Sequence, residues 1–411
     1  MLNTLNDVLN NVDNFIWGMP LIILILFTGI LLTVRLRGLQ IRHLGKALHY
    51  VFHNEDDGEG EVTSFGALCT ALSATIGTGN IVGCATAIVA GGPGALFWMW
   101  LAAFFGMATK YAEGMLAVKY RVIAEDGHTL GGPFYYIEKG MGKNFKWLAK
   151  LFCVFGTMVG LFGIGTFTQV NGITSAVNNF FDPSNVHTIS LFGMNYSISV
   201  VVAGIIVTIC AGLVIIGGIK RISKVSEVIV PFMAVTYIGV CLIIVFTHLP
   251  QVPAAFAEIV QSAFGLKAVA GGAIGAMTVA MQKGIARGIF SNEAGLGSAP
   301  IAAAAAQTNE PVRQGLVSMT GTFIDTIIVC TMTGLAIVMT GAWDMGLEGV
   351  AVTTKAFALG LPFPAKASAF VLMMCLVFFA FTTILGWAYY SERCLEYLVN
   401  GKKFVITAFK W

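Results

Sequence analysis

Apolar residues along this 411-residue chain gather into long continuous runs instead of alternating with polar ones. A bilayer crossing needs about 20 apolar residues. Runs that qualify lie near 16–34, 65–90, 94–118, 147–177, 197–217, 227–247, 254–285, 314–341 and 367–390. Within hydrocarbon only helices and closed barrels satisfy the backbone, and unbroken apolar runs select helices. The pattern therefore predicts an all-α polytopic membrane protein with nine spans. Before the first span, Leu2, Leu5, Leu9, Val12 and Ile16 fall at helical spacing among Asn and Asp. Residues 1–15 thus read as an amphipathic helix lying in the interface, and 16–411 as one transmembrane domain. A further apolar run opens at Phe404 and stops at Trp411, so the array is expected to be C-terminally incomplete.

Composition agrees. Only 11% of residues are charged, against roughly 25% in soluble domains, and the mean hydropathy is +0.80. A net charge of +3 gives no reason to expect a nucleic-acid partner. Seven of the eight cysteines sit in apolar runs without CxxC spacing and read as small buried hydrophobes. The first run does not read as a cleaved leader, since no Lys or Arg precedes it and Arg35-Leu-Arg37 follows it.

Where the charges lie predicts orientation. The connections at 35–64, 119–146, 220–224, 283–313 and 393–403 hold 18 Lys and Arg; those at 91–93, 178–196, 248–253 and 342–366 hold only Lys355 and Lys366. The expectation is a cell-membrane protein with its amino terminus outside.

Transport sites are built where membrane helices break, because freed peptide groups can hold ions and substrate. One stretch of this kind is Ala71-Leu-Ser-Ala-Thr-Ile-Gly-Thr-Gly-Asn-Ile-Val-Gly83, in mid-span. If it unwinds, its amides face a carboxylate and its carbonyls a cation; the same glycines would equally serve close helix packing. A second runs from Gly271-Gly-Ala-Ile-Gly-Ala-Met277 through Gly284 to Gly295, and the pair suggests inverted repeats. Gln169 and Asn171 follow three glycines in another span, and Thr382 and Thr383 offer neutral oxygens suited to a monovalent cation. Asp325 lies inside a span, where a carboxylate serves function or bonds between helices. The six histidines are dispersed in connections and suggest no metal centre.

Several segments resemble the alanine or glycine:cation symporter family: Gly91-Gly-Pro-Gly-Ala-Leu-Phe-Trp-Met-Trp-Leu101 through Glu113, Gly77-Thr-Gly-Asn-Ile-Val-Gly83, Gln169-Val-Asn171, Ser291-Asn-Glu-Ala-Gly-Leu-Gly-Ser-Ala-Pro300 and Thr382-Thr-Ile-Leu-Gly-Trp387. The resemblance implies eleven spans, one leading helix and then a leucine-transporter-type core of two inverted five-helix repeats. On that plan 16–64 is the leading span and a cytoplasmic loop, 65–247 the first repeat, and 254–411 an incomplete second repeat. It also implies site roles. Thr78, Gly79 and Asn80 would meet the substrate carboxylate, with Gln169 adding a contact; Met277 and Trp387 would wall a small pocket. Ala74, Gly77, Thr382 and Thr383 would hold Na⁺, and the 292–300 segment would lie near an inner gate. The activity implied is sodium-coupled uptake of alanine or glycine with no further cofactor. The alternatives are a proton-coupled or different amino-acid transporter, then a channel; no HExxH, paired intramembrane aspartates or Ser/His dyad points to an enzyme.

Overall fold

The computed structural model describes residues 2–53, 58–124, 127–191, 193–266 and 272–410. Gly271, where the second glycine-rich stretch begins, lies outside them. The amphipathic opening forms α1 (Leu2–Ile16) and the leading run α2 (Met19–Arg35), with a further short helix, α3, at Leu44–Phe52. The next run is not one helix. Thr63 caps α4 (Ser64–Thr75) by accepting from Gly66 N at 2.9 Å. After a break come a π-helical turn, Gly79–Gly83, and α5 (Cys84–Gly91). The two halves are bent by 52°. α6 (Gly94–Tyr120) follows; then α7 (Lys146–Phe162) and α8 (Phe167–Phe181), α9 (Ile198–Ile215) and α10 (Gly218–Thr247).

The second half holds α11 (Val252–Ala263), α12 (Ala273–Asn292) and the short α13 (Ala299–Ala303). α14 (Pro311–Thr322) passes through a π-helical segment, Phe323–Cys330, into α15 (Thr331–Met339). α16 (Val350–Gly360), α17 (Ala365–Leu398) and α18 (Lys403–Lys410) complete the described chain. Two small antiparallel hairpins, at 122–130 and 188–197, are the strand content among the described residues.

Among the described residues, five helical stretches are long and apolar enough to cross a membrane, and the bent pair makes a sixth. The exterior supports this: α9 turns Val202, Ile205, Ile209 and Leu213 outward, a face only lipid tails would leave unpenalised. This is a multi-pass helical membrane protein. The other three expected spans fall short of that test. α2 has 17 residues, and α6 carries Lys110, Glu113 and Lys119. The run at 254–285 is divided between α11 and α12.

That division corrects two expectations. A methyl group added at Gly94 would lie 2.3 Å from Ala263 N, and one at Gly91 would lie 3.2 Å from Lys283 Cβ. Further along, Gly288 faces Met99, Gly106 faces Ala294, and Gly131 faces Ala304. The segment from 283 to 304 thus runs parallel to α6, starting level with the 91–93 turn. Lys283 and Arg287 therefore belong with that turn and not with the basic side, which makes the split sixteen to four. Gly272–Met277, within the run expected to cross at 254–285, likewise sits near the start of this crossing. The glycines of α12 serve packing: a methyl at Gly284 would meet Ala95 O at 2.2 Å.

At the opposite end, the Arg121 guanidinium donates to four carbonyls: Ala304 (3.0 Å), Ala306 (2.7 Å), Glu59 (2.7 Å) and Thr308 (2.8 Å). It straps the entry to α4 to the exit from α13. Close approach matters equally where α4 crosses α17, since a methyl at Gly386 would lie 2.7 Å from both Ala74 N and Ala74 Cβ. Gly386→Ala should therefore cost about 1–3 kcal/mol by overpacking and lower the unfolding temperature in detergent. Gly204→Ala, with nothing within 4 Å, should not; equal melting of the two variants would refute this account of the crossing.

Candidate functional site

The break after Thr75 has a specific cause. In a continuous helix, Gly77 N would donate to Ser73 O and Thr78 N to Ala74 O. Here Gly77 N donates to the Asn80 side-chain Oδ1 at 2.9 Å, and Thr78 N to Gln169 Oε1 at 3.4 Å. The last regular bond is Ile76 N to Leu72 O, 2.7 Å. Among the described residues the Ser73 and Ala74 carbonyls are thereby relieved of their helical donors. They are the kind of groups a hard cation accepts.

Each replacement partner is itself held. Gln169 Nε2 donates to Ile164 O at 3.0 Å, which leaves Oε1 aimed at Thr78. Ile164 is available because α7 and α8 are separated at Gly163–Thr166. Asn80 is fully buried; its Nδ2 donates to Asp325 Oδ1 at 2.7 Å and to Asp325 O at 3.2 Å.

A methyl at Gly77 would fall 2.4 Å from Thr383 Oγ1 and 3.4 Å from Gln169 Oε1. Only a residue without Cβ lets Thr383, Gln169 and the break converge. Both threonines bond back to their own helix, Thr383 to Phe379 O (3.0 Å) and Thr382 to Phe378 O (3.1 Å). Thr383 nevertheless faces the break, whereas Thr382 turns toward Met233 Sδ, 3.5 Å away on α10. Ala74 touches α17 one turn later, at Gly386.

Of the candidate residues, the structure therefore gathers Ala74, Gly77, Thr78, Gly79, Asn80, Gln169 and Thr383. Asn171 is exposed. Met277 is not part of the group. The α12 residues at the break are Phe290 and Ser291: a methyl at Gly79 would lie 3.5 Å from Phe290 Cδ1 and from Ser291 Cα. Met277 lies thirteen positions earlier on the same helix, about 20 Å at 1.5 Å per residue.

The interruption that faces the first break is therefore at the end of α12. There Glu293 adopts a left-handed conformation (φ 55°), followed by Gly295 (φ 87°) and Gly297 (φ 76°), before α13 resumes with Pro300 in its first turn. The Ser291–Pro300 block, expected near a gate, forms this second interruption. The buried Trp387 joins it: its indole N–H donates to Glu293 Oε1 at 3.0 Å, and Ser298 Oγ donates to Glu293 Oε2 at 2.5 Å. Glu113 accepts from Gly297 N at 3.1 Å.

Cavities flank the pair unequally. One of about 240 Å³, lined by Trp17, Thr86, Gln282, Lys283, Arg287 and Phe290, reaches toward Gly79 from the Lys283 end. On the Arg121 side Thr75, Lys110, Asn292 and Gln314 border an inner one of about 20 Å³, and beyond it Glu59, Lys119 and Arg121 line a surface groove of about 530 Å³. Trp387→Phe keeps an aromatic ring, smaller than the indole, and deletes the N–H bond to a buried carboxylate. It should destabilise by roughly 1.5–3 kcal/mol, read as a lower unfolding temperature in detergent; unchanged melting would show that this bond contributes nothing.

Residues 2–411 match the family described as the sodium:alanine symporter family. An uncharacterised transporter of Haemophilus influenzae is 58% identical over 97% of this chain and 83% of its own length. The sodium/alanine symporter AgcS of Methanococcus maripaludis is 45% identical over 98% of this chain and 87% of its own. A probable sodium/glutamine symporter of Bacillus subtilis, GlnT, is 38% identical over 98% of this chain and 80% of its own. A match along essentially the whole chain, over a helix opened at glycines and held open by side-chain amides, places this protein in the sodium:alanine symporter family.

Proposed function

We propose that the protein couples inward movement of Na⁺ to uptake of a small neutral amino acid, alanine or glycine, by alternating access. The observation that carries this reading is the diversion of the Gly77 and Thr78 amides onto Asn80 and Gln169. It opens the helix inside the bilayer beside a hydroxyl suited to Na⁺. The name of the archaeal relative AgcS supports alanine as substrate, and that of GlnT shows that a relative carries a different name for its substrate. In favour of alanine or glycine is the tightness around the break, where Gly77, Gly79 and Gly172 have neighbours within 2.4–3.5 Å of an added methyl.

On this reading the amides of Thr78, Gly79 and Asn80 take the substrate carboxylate, and Gln169 adds a side-chain contact. The Ala74 and Gly77 carbonyls and the Thr383 hydroxyl take Na⁺, with Thr382 joining by rotation from Met233. Trp387 walls the site through its link to Glu293. The two interrupted helices, α4–α5 and α12–α13, are the equivalent members of two inverted repeats of the leucine-transporter type. The larger cavity is the outward approach, in keeping with an external amino terminus. Each Na⁺ entering a cell supplies about 2.3 kcal/mol per 100 mV of membrane potential. Substrate and ion reinforce each other's binding by linkage.

Radiolabelled alanine uptake into proteoliposomes, with and without a Na⁺ gradient, tests the reading. Uptake should collapse without Na⁺; persistence would refute the coupling. Gln169→Ala should raise the alanine KM tenfold or more, and Thr383→Ala should raise half-saturating Na⁺ similarly. Wild-type kinetics in either variant would remove that residue from its role.

A further inference from the structure

Asp325 is fully buried on the π-helical segment between α14 and α15, and neither the carboxylate-binding nor the Na⁺-binding role above uses it. Three donors converge on its carboxylate. Asn80 Nδ2 reaches Oδ1 at 2.7 Å, while Ser291 Oγ (2.9 Å) and Thr326 Oγ1 (2.7 Å) reach Oδ2. These donors come from different places. Asn80 is on the π-helical turn that follows the first break, Ser291 is in the last turn of α12 just before the second, and Thr326 is its chain neighbour. Asn292 Nδ2 in turn donates to Thr326 Oγ1 at 3.0 Å, which directs the threonine proton at Asp325.

The consequence follows from the two ends of one amide. Asn80 keeps Gly77 N out of the helix only while its Oδ1 points at that amide, and this orientation is set by where its Nδ2 is held. The Asp325 carboxylate at 2.7 Å is the nearest acceptor that holds it, ahead of the Asp325 main-chain carbonyl at 3.2 Å and Cys330 Sγ at 3.5 Å. Without that acceptor the Asn80 amide could rotate, and Gly77 N could return to Ser73 O and close the helix. Ser291 brings the second interruption to the same carboxylate, so both breaks share one anchor. Helical π-segments of this kind recur at functional sites. We infer that Asp325 is a positioning residue: through Asn80 and Ser291 it holds the two interrupted helices open against each other, and thereby sets affinity for the substrate carboxylate. The inference rests on the proposed transport reading for its effect on affinity, but not for its effect on the backbone.

The test uses Asp325→Leu, which removes the carboxylate and leaves Asn80 only the longer contacts to the main-chain carbonyl and Cys330 Sγ; Asp325→Asn, which keeps one acceptor oxygen at the same size; and Asp325→Ser, too short to reach Asn80, should the leucine variant fail to fold. Two readouts apply. The first is amide hydrogen exchange of a peptide spanning residues 76–83, without ligand, in detergent-solubilised protein. The second is alanine KM against maximal uptake rate. Asp325→Leu or Asp325→Ser should change exchange in 76–83 while leaving α9 and α10 at wild-type protection. It should also raise KM tenfold or more with maximal rate held within about threefold, and Asp325→Asn should lie between these and wild type. Wild-type exchange in the leucine or serine variant would overturn the inference. So would an asparagine variant as impaired as they are, because negative charge and not the contact would then be what matters. Should the wild type show no alanine uptake, the proposed function fails, and the exchange measurement still decides the role of Asp325.

Discussion

Two backbone amides decline their helical acceptors, and most of what is distinctive in this molecule follows from where they go. An unpaired amide inside a bilayer would cost several kcal/mol, so the break at Gly77–Thr78 persists only because Asn80 and Gln169 replace the lost carbonyls. Each replacement needs a further irregularity. Gln169 is aimed by Ile164 O, which lies in the interruption between α7 and α8, and Asn80 is aimed by Asp325, which lies on a π-helical segment. The interruptions are therefore mutually supporting: straightening one helix would strand polar groups on another.

The first break was legible in the sequence because it places Thr78 and Asn80 among Gly77, Gly79 and Gly83, where an ordinary span has leucine. The family blocks were legible as well. Their side-chain bonds were not, since nothing in spacing says that Thr383 faces Gly77 while Thr382 faces Met233. The second interruption lies only at the far end of its expected stretch, at Gly295, for a physical reason. Glycine density marks both broken helices and tightly packed ones, and in α12 it marks packing: Gly284 and Gly288 sit against Ala95 and Met99 of α6. The real interruption begins at a non-glycine residue, Glu293, whose left-handed backbone no glycine count reveals. The available signal was polar and positional: Asn292-Glu293 closing an apolar helix, Gly295 and Gly297 supplying positive φ, and Pro300 opening the next helix.

The same error displaced two charges. An apolar run that looked like a complete crossing put Lys283 at its end and Arg287 just after it, on the basic side. Once α12 is seen to run parallel to α6 from the level of Gly91, both join the opposite end, beside the 240 Å³ cavity. The asymmetry of basic residues survives at sixteen to four, because the loops bearing Arg35 to Lys46, Lys119 to Lys146 and Lys220 to Lys224 are unaffected.

The two ends of the interrupted helices are held by different chemistry. Near the larger cavity the contact at Gly79 is with the flat ring of Phe290, van der Waals packing that any modest shift would loosen. At the other end Arg121 spends its guanidinium on four neutral carbonyls drawn from 59 and from 304–308, and Trp387 and Glu113 fix Glu293 and Gly297. Those bonds are directional, and each carbonyl belongs to the backbone that enters α4 or leaves α13. Separation of the two helices at that end must therefore break several of these bonds together, whereas separation at the Phe290 end breaks none of them. The Arg121 side is held by hydrogen bonds to backbone carbonyls, whereas at the wider side Gly79 and Phe290 meet in packing beside the Asn80–Asp325–Ser291 bonds.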